Sequence, residues 1–275
     1  MASTGARETR EPSGGTAGVN GPTRAQIGVR TLRGDRWWLA PLTTFVVFGA
    51  FVVYATIRAF MGRDYYASPY LSPFYSPCLG DCVEGSSDFG QPFSWFPLSA
   101  ALIVLIFPLG FRMTCYYYRK AYYRAFWLSP PACAVAEPHQ KYTGETRFPL
   151  LAQNVHRYFW YAAVLVGLIL TYDVVLAFRN ADKEWGHMGL GTVLMLVNVV
   201  LIWLYTLSCH SCRHTVGGRL RHFSKHPVRY RLWTWVSRLN TSHGRWAWYS
   251  LFSVALVDLY IFLLATGTIQ DVRFF

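Results

Sequence analysis

The stretch "MGLGTVLMLVNVVLIWLYTLSCHSCRH", residues 188–214, decides the fold class of this 275-residue chain. Its first charged side chain is Arg213, so the 25 residues before it contain no Asp, Glu, Lys or Arg. A helix of about 20 apolar residues is long enough to cross a bilayer. Because a backbone in lipid must satisfy its own hydrogen bonds, such a run folds as a helix. The stretch therefore predicts a transmembrane helix with two cysteines and two histidines at its end.

The rest of the chain repeats this pattern. Hydrophobic residues make up 53% of it and charged residues only 15%, which is not the composition of a soluble domain. Apolar runs occupy residues 37–60, 93–111, 158–177, 188–209 and 247–266. The first is not a cleavable signal peptide, because polar residues 1–36 precede it and no small-residue cleavage site follows closely. The predicted fold is an all-α membrane protein, a bundle of five transmembrane helices.

The predicted domain organisation follows from these runs. The spans are expected at about 37–60, 93–115, 156–178, 188–209 and 246–267, within a membrane domain covering 35–275. Residues 1–34 are rich in Gly, Ser, Thr, Ala and Pro and are predicted to form a disordered cytoplasmic arm.

The charged residues behind the net charge of +12 are distributed unevenly among the segments that connect the spans. Segment 210–246 carries eight Lys and Arg and no Asp or Glu, segment 119–153 is also basic, and the loop at 61–93 is acidic. Basic loops mark the cytoplasmic side of a membrane protein. The N-terminus is therefore predicted to be cytoplasmic and the C-terminus outside. This pattern explains the charge without a nucleic-acid partner.

The predicted topology divides the six cysteines. Cys78 and Cys82 lie in an outer loop, where an oxidising environment favours a structural disulfide. The others fall at the cytoplasmic edge, as do four histidines; these are Cys115, Cys133, Cys209, Cys212, His156, His210, His214 and His243. Thiolates and imidazoles at one depth are typical of a metal or iron–sulfur site. The alternatives are a zinc site, and cysteines that merely fill packing gaps.

The stretch "CHSCRH" cannot form such a site alone. Cys209 and Cys212 share one helix face, whereas His210 and His214 share another. Ligands from other helices are therefore required.

Aromatic and acidic side chains add two further hypotheses. Aromatics interleaved with basic residues at the cytoplasmic edge could form a quinone slot with Arg119, Tyr123, Trp246 and Tyr249, or only an interfacial belt.

Asp258 lies within the fifth span, where it could relay protons or accept a hydrogen bond in a structural pair. Asp173 is nearer the outer end and is expected to be a solvated edge residue.

Four stretches carry a resemblance to a known family: "TCYYYRKAYYRAFWLSPPACAV", "ETRFPLLAQNVHRYFWY", "CHSCRHTVGGRL" and "SHGRWAWYSLFSVALVDLYI". Together they resemble the membrane-anchor subunit of actinobacterial, type F succinate dehydrogenase. The resemblance covers all five spans and implies a multi-pass protein of the bacterial plasma membrane. It also implies a flavoprotein subunit and an iron–sulfur subunit as partners. Electrons from succinate would then reach a membrane quinone, expected to be menaquinone.

The resemblance further implies a Rieske-type [2Fe–2S] cluster, which binds two Cys on one iron and two His on the other. Carried over by position, the expected ligands are Cys115 with Cys133 or Cys209, and His156 with His210 or His243. Cys212 and His214 are expected to be bystanders. Two alternatives stay open: a bis-histidine haem b anchor using His156 and His210, and a transporter or scaffold in which the Cys/His set binds zinc or packs.

Overall fold

The structure is a computed structural model, and it describes residues 33–79, 99, 101–135, 146–180 and 182–275. The predicted disordered arm lies almost entirely outside the described residues, as do Cys82 and residues 93–98 of the second predicted span.

Four long apolar helices dominate the described chain. They are α1 (Leu39–Met61), α4 (His156–Leu176), α5 (Leu190–Leu207) and α8 (His243–Ala265), and each is long and apolar enough to cross a membrane. A 3₁₀ turn, Leu150–Val155, leads into α4. These helices agree with four of the predicted spans to within a few residues. Their exposed faces are apolar, as is expected of helices that contact lipid.

The second predicted span is bent. Short helices α2 (Ala101–Val104) and α3 (Ile106–Met113) are followed by a 3₁₀ turn, Tyr116–Tyr118, and a π-helix, Ala121–Phe126. The two halves, Ala101–Met113 and Tyr116–Phe126, meet at 69°. The described chain therefore has four spans, or five if this bent pair counts as one.

Two shorter helices, α6 (His210–Gly217) and α7 (Pro227–Asn240), lie between α5 and α8. Between α1 and α2, strands β1 (Tyr66–Ala67) and β2 (Tyr70–Leu71) form an antiparallel hairpin, in which Tyr66 pairs with Leu71. This hairpin is a small exception to the all-α prediction.

The two ends of the bundle are named for what they carry. The end with β1 and β2 is the hairpin end. The opposite end, which carries Cys115 and Cys209, is the Cys/His end.

The helices pack with α8 and α5 at the centre. α5 contacts α8 along its length, α4 contacts α3 and α5, and α1 lies at the periphery against the π-helix. Gly191 at the start of α5 allows the ring of Tyr70 to approach, because a Cβ there would lie only 2.5 Å from that ring. The hairpin is thereby fixed against the bundle.

Buried acids tie the hairpin end together. Asp258 is fully buried and accepts hydrogen bonds from Tyr54 (2.5 Å), Ser72 (2.5 Å) and Arg58 (2.8 and 3.1 Å). These contacts agree with one of the two alternatives predicted for Asp258, that it accepts a hydrogen bond in a structural pair. The expectation that Asp173 is solvated is wrong: it is only 2% exposed and accepts a hydrogen bond from Ser76. The loop after α1 folds back over the end of α4 and removes Asp173 from solvent.

The cysteines at the two ends differ in state. Cys78 is disulfide-bonded, while its predicted partner Cys82 lies outside the described residues. Cys115, Cys133, Cys209 and Cys212 are free thiols.

Candidate functional site

Two cysteines and two histidines meet at the Cys/His end, each at a helix boundary. Cys115 follows α3 and Cys209 follows α5, and both have extended backbones (ψ of 127° and 147°) that break the helix. His156 and His243 are the first residues of α4 and α8. Because α3 and α5 end where α4 and α8 begin, four residues distant in sequence converge at one depth.

The convergence takes the form of two sulfur–imidazole pairs. Nε2 of His156 lies 3.1 Å from Sγ of Cys209, and Nε2 of His243 lies 3.6 Å from Sγ of Cys115. Among the described residues, no three Cys, His, Asp or Glu side chains form a group that could hold a single metal ion. The site is therefore described by its two pairs.

The other nitrogen of each imidazole binds a hydroxyl. Nδ1 of His156 lies 2.9 Å from Oγ1 of Thr114, and Nδ1 of His243 lies 2.6 Å from Oγ of Ser208. Each hydroxyl donates its own proton to a helix carbonyl, of Gly110 for Thr114 and of Tyr205 for Ser208.

A hydroxyl that has already donated its proton must accept the imidazole hydrogen bond. When each hydroxyl donates to its helix carbonyl, Nδ1 of the histidine donates to the hydroxyl, and the lone pair of each Nε2 faces a sulfur. Hydrogen bonding at the far nitrogen is how proteins orient histidine for metal ligation.

Aromatic rings enclose the two histidines. Phe111 stacks on His156 with ring centroids 4.9 Å apart, and Tyr205 stacks on His243 at 5.0 Å. Tyr117 meets the His243 ring edge-on at 4.9 Å. These ring contacts restrict the orientation of both imidazoles; His243 is buried, at 1% exposed, and His156 is partly buried.

Burial and charge shape the chemistry of the sulfurs. Cys115 and Cys209 are both 1% exposed, and such burial disfavours the charged thiolate form of each sulfur. The guanidinium of Arg112 lies in the same wall, where it donates to Tyr118, the Ala247 carbonyl and Ser250 and lies over the Tyr205 ring. It forms no ion pair with a carboxylate of the described chain. Negative charge on the sulfurs thus requires a nearby cation, and Arg112 is one.

Other predicted ligands lie apart from these pairs. Cys133 is exposed; its sulfur accepts a hydrogen bond from Arg124 (3.4 Å) and its carbonyl one from Arg33 (2.8 Å). His210 is exposed and its ring is parallel to that of Tyr117 at 6.1 Å. The structure therefore brings Cys209 rather than Cys133, and His243 rather than His210, to the group.

The two expected bystanders sit outside the group as well. Cys212 is buried in the hydrophobic core at this end, and Nδ1 of His214 contacts Arg157 at 3.2 Å.

The predicted quinone contacts fall on two elements. Arg119 lies over the ring of Tyr116 beside the π-helix that contains Tyr123. Trp246 and Tyr249 pair on α8 with ring centroids 6.2 Å apart. Nε1 of Trp246 is buried without a hydrogen-bond partner in the described chain.

Residues that sequence reasoning missed include Thr114 and Ser208. Each immediately precedes a cysteine, as "TC" and "SC", so a hydroxyl beside a candidate ligand was the available signal. A cavity of about 410 Å³ at the same end was also missed; it is lined in part by Trp37, Lys120 and Arg124. It joins segments far apart in sequence, and no local pattern marks it.

Comparison with known proteins agrees with this architecture. The family model described as actinobacterial succinate dehydrogenase subunit SdhC matches residues 39–267. A solved structure titled Mycobacterium smegmatis Sdh1 complex in the apo form contains a chain 60% identical to this one. The match covers 94% of this chain and 99% of that one, with a TM-score of 0.82. No curated protein matches. The chain therefore belongs to the SdhC family, the multi-pass plasma-membrane anchor subunits of actinobacterial succinate dehydrogenase.

Proposed function

We propose that this anchor passes electrons from the iron–sulfur subunit to membrane quinone through a Rieske-type [2Fe–2S] cluster held by Cys115, Cys209, His156 and His243. The observation that carries the proposal is the pair of Nε2 atoms facing two sulfurs while both Nδ1 atoms are bound by hydroxyls. Two thiolates and two neutral imidazoles are the donor set of a Rieske-type centre. The proposal rests on these two pairs and not on a closed single-ion site.

When bound, such a cluster would carry one electron at a time between the soluble subunits and the quinone. The chain's own residues would set its environment. Neutral imidazoles in place of two thiolates remove negative charge, which raises the potential of a cluster. Arg112 would act in the same direction, because a nearby cation stabilises a reduced, more negative centre. Thr114 and Ser208 would hold the imidazole orientation.

Docking of the soluble subunits is proposed for segment 210–246. The segment has eight basic and no acidic residues and includes α6 and α7. Arg219, Arg221 and Arg231 are exposed on it. α7 is tied to the site because Nδ2 of Asn240 donates to the Ser208 carbonyl at 2.7 Å. A subunit bound to this surface would therefore lie close to the two sulfur–imidazole pairs.

The decisive experiment compares histidine variants in the purified complex. His156→Ala with His243→Ala should remove one [2Fe–2S] signal from the EPR spectrum, lower the iron content and abolish quinone reduction. Succinate oxidation by an artificial dye should persist, because that chemistry belongs to the soluble subunits. His210→Ala is the matched control, since that ring is exposed, lies parallel to the ring of Tyr117 and belongs to neither sulfur–imidazole pair.

Two results would contradict the proposal. Unchanged iron content and EPR spectrum in the double variant would make these histidines packing residues. A Soret band in the wild-type complex that disappears with His156→Ala would instead support the haem alternative. Ser208→Ala gives an independent check, because loss of such an orienting contact typically weakens metal binding by about 10–100-fold.

A further inference from the structure

Helix α7 carries an exposed apolar stripe, formed by Val228, Leu232 and Trp235. These side chains are 68%, 49% and 46% exposed. They follow one another at spacings of four and three residues, so they lie within about 60° of the helix circumference. Contact of such a stripe with water is unfavourable, and a contiguous exposed apolar patch marks a site of interaction.

The neighbouring face of α7 fixes the helix to α6 and to the bundle. Nε of Arg229 donates to the Val216 carbonyl at 2.9 Å, and the guanidinium of Arg213 lies over the Trp233 ring at 5.0 Å. Val236 is buried in the core at the Cys/His end. The packed residues of α7 lie about 100° round the helix from the apolar stripe. Packing within the chain therefore leaves the stripe uncovered.

Helix α6 holds α7 at the depth where the membrane-spanning helices end. Cys212 of α6 is buried in the core, and His214 contacts Arg157, the second residue of the membrane-spanning α4. The last residue of α7, Asn240, donates to the carbonyl of Ser208, which directly follows the membrane-spanning α5. The stripe therefore lies at the edge of the membrane, where lipid headgroups are found.

Basic side chains border the stripe and determine the charge of its partner. Arg231 and Arg238 are exposed and lie on the side of the stripe away from the packed face. Segment 210–246 as a whole has eight basic residues and no acidic one, so it attracts an anionic surface. A helix with tryptophan and leucine on one face and arginines beside them is typical of helices that lie in the plane of a membrane.

We propose that α7 lies in the plane of the membrane, with its apolar stripe among the headgroups of anionic phospholipids and Arg238 bound to their phosphates. Arginine suits phosphate because its planar guanidinium can donate two parallel hydrogen bonds. The arginines that precede α7 lie outside the stripe, so docking of the soluble subunits and binding of lipid would use adjoining parts of one segment. Lipid binding at α7 requires neither a cluster nor electron transfer.

The test uses the complete complex in nanodiscs made of equal amounts of phosphatidylcholine and phosphatidylglycerol. The photoreactive residue p-benzoylphenylalanine replaces Leu232 and is activated by light. Mass spectrometry should then show the anchor with one phospholipid attached, and gels should show no product with a soluble subunit. The same replacement at Tyr230 is the matched control. Tyr230 is exposed on nearly the opposite side of α7 and should give no lipid adduct.

The lipid composition of the adduct measures the role of charge separately. Phosphatidylglycerol should exceed phosphatidylcholine in the adduct about fivefold or more, because each arginine close to an anionic surface contributes about that preference. Arg238→Gln should lower this ratio about fivefold without abolishing the adduct. Arg63→Gln is the matched control, because Arg63 is an exposed arginine at the hairpin end and should leave the ratio unchanged.

Three outcomes would overturn the proposal. The first is a cross-link from position 232 to a soluble subunit, which would make the stripe a protein interface. The second is no lipid adduct at position 232, or equal adducts at positions 230 and 232, which would mean that α7 has no lipid-facing side. The third is an adduct without preference for phosphatidylglycerol, which would leave an apolar contact without recognition of anionic charge. If the Leu232 variant does not assemble, p-benzoylphenylalanine in place of Val228 gives the same readout from the same stripe.

Discussion

Replacing Asp258 tests how the hairpin end is held within the membrane. Asp258→Ala would leave the Arg58 guanidinium only 2% exposed and without its carboxylate. Removing one partner of a buried ion pair costs about 3–5 kcal/mol. Tyr54 and Ser72 also lose their acceptor, so the upper part of that range is expected. For a chain of this size, about 2–4 °C of melting temperature per kcal/mol gives a fall of roughly 10 °C or more.

The assay is thermal denaturation of the purified complex in one detergent. Arg58→Met with Asp258→Leu removes both charges and should recover most of the loss, because a well-packed apolar pair often replaces a buried ion pair without cost. Asp182→Ala, at an exposed acid, should change the melting temperature little. A double variant no more stable than Asp258→Ala, or a single variant as stable as wild type, would refute this reasoning.

Three further predictions concern topology, docking and thiol chemistry. A reporter fused after Phe275 should be active only outside the cytoplasm, because basic loops mark the opposite side; cytoplasmic activity would mean a miscounted span. Reversing three exposed arginines of segment 210–246 to Glu should release the soluble subunits from membranes, with insertion checked by blotting; retention would place docking elsewhere. The variant carries Arg219→Glu, Arg221→Glu and Arg231→Glu. The hydrogen bond from Arg124 lowers the pKa of the Cys133 thiol, so its alkylation should reach half-maximal rate below the usual pH of about 8.5. Arg124→Gln should move that midpoint upward, and an unchanged midpoint would contradict the contact.

Docking and topology share one determinant, the positive charge of segment 210–246. Charge reversal could therefore alter insertion as well as binding. Comparison with Arg219→Gln and Arg221→Gln, which remove charge without adding acid, separates the two effects. Soluble subunits lost from correctly inserted anchor would support docking at this surface.

The transmembrane helices could be predicted because the determining property is local. Each apolar run carries its own length and hydrophobicity, and lipid allows few conformations other than a helix. The runs therefore anticipated α1, α4, α5 and α8 closely. The bend after Met113 was not predicted. The apolar and aromatic composition of residues 113–126 is the same as that of the end of a straight transmembrane helix.

The sequence predicted which residue types meet at the candidate site, but not which individual residues are in contact there. Assigning each residue to a side of the membrane placed cysteines and histidines at one depth. Depth does not determine how each helix is rotated about its axis or where it lies in the bundle. Cys133 and Cys209 share a predicted depth, yet only Cys209 meets His156, because α5 packs beside α4 while Cys133 lies beyond the bend. Similarly, His243 lies beside Cys115 because α8 packs against the 3₁₀ turn Tyr116–Tyr118, which directly follows Cys115.

Composition and hydropathy by themselves determined that this chain is a helical membrane protein, and they determined which residues lie near the Cys/His end. Tertiary structure alone decided which of them touch, which hydroxyls orient the imidazoles, and where the cavity opens. The physical reason is that insertion depends on the free energy of each segment in lipid, a sum over neighbouring residues. Contact between ligands depends on how side chains of distant helices interlock, and that information is not contained in any one segment.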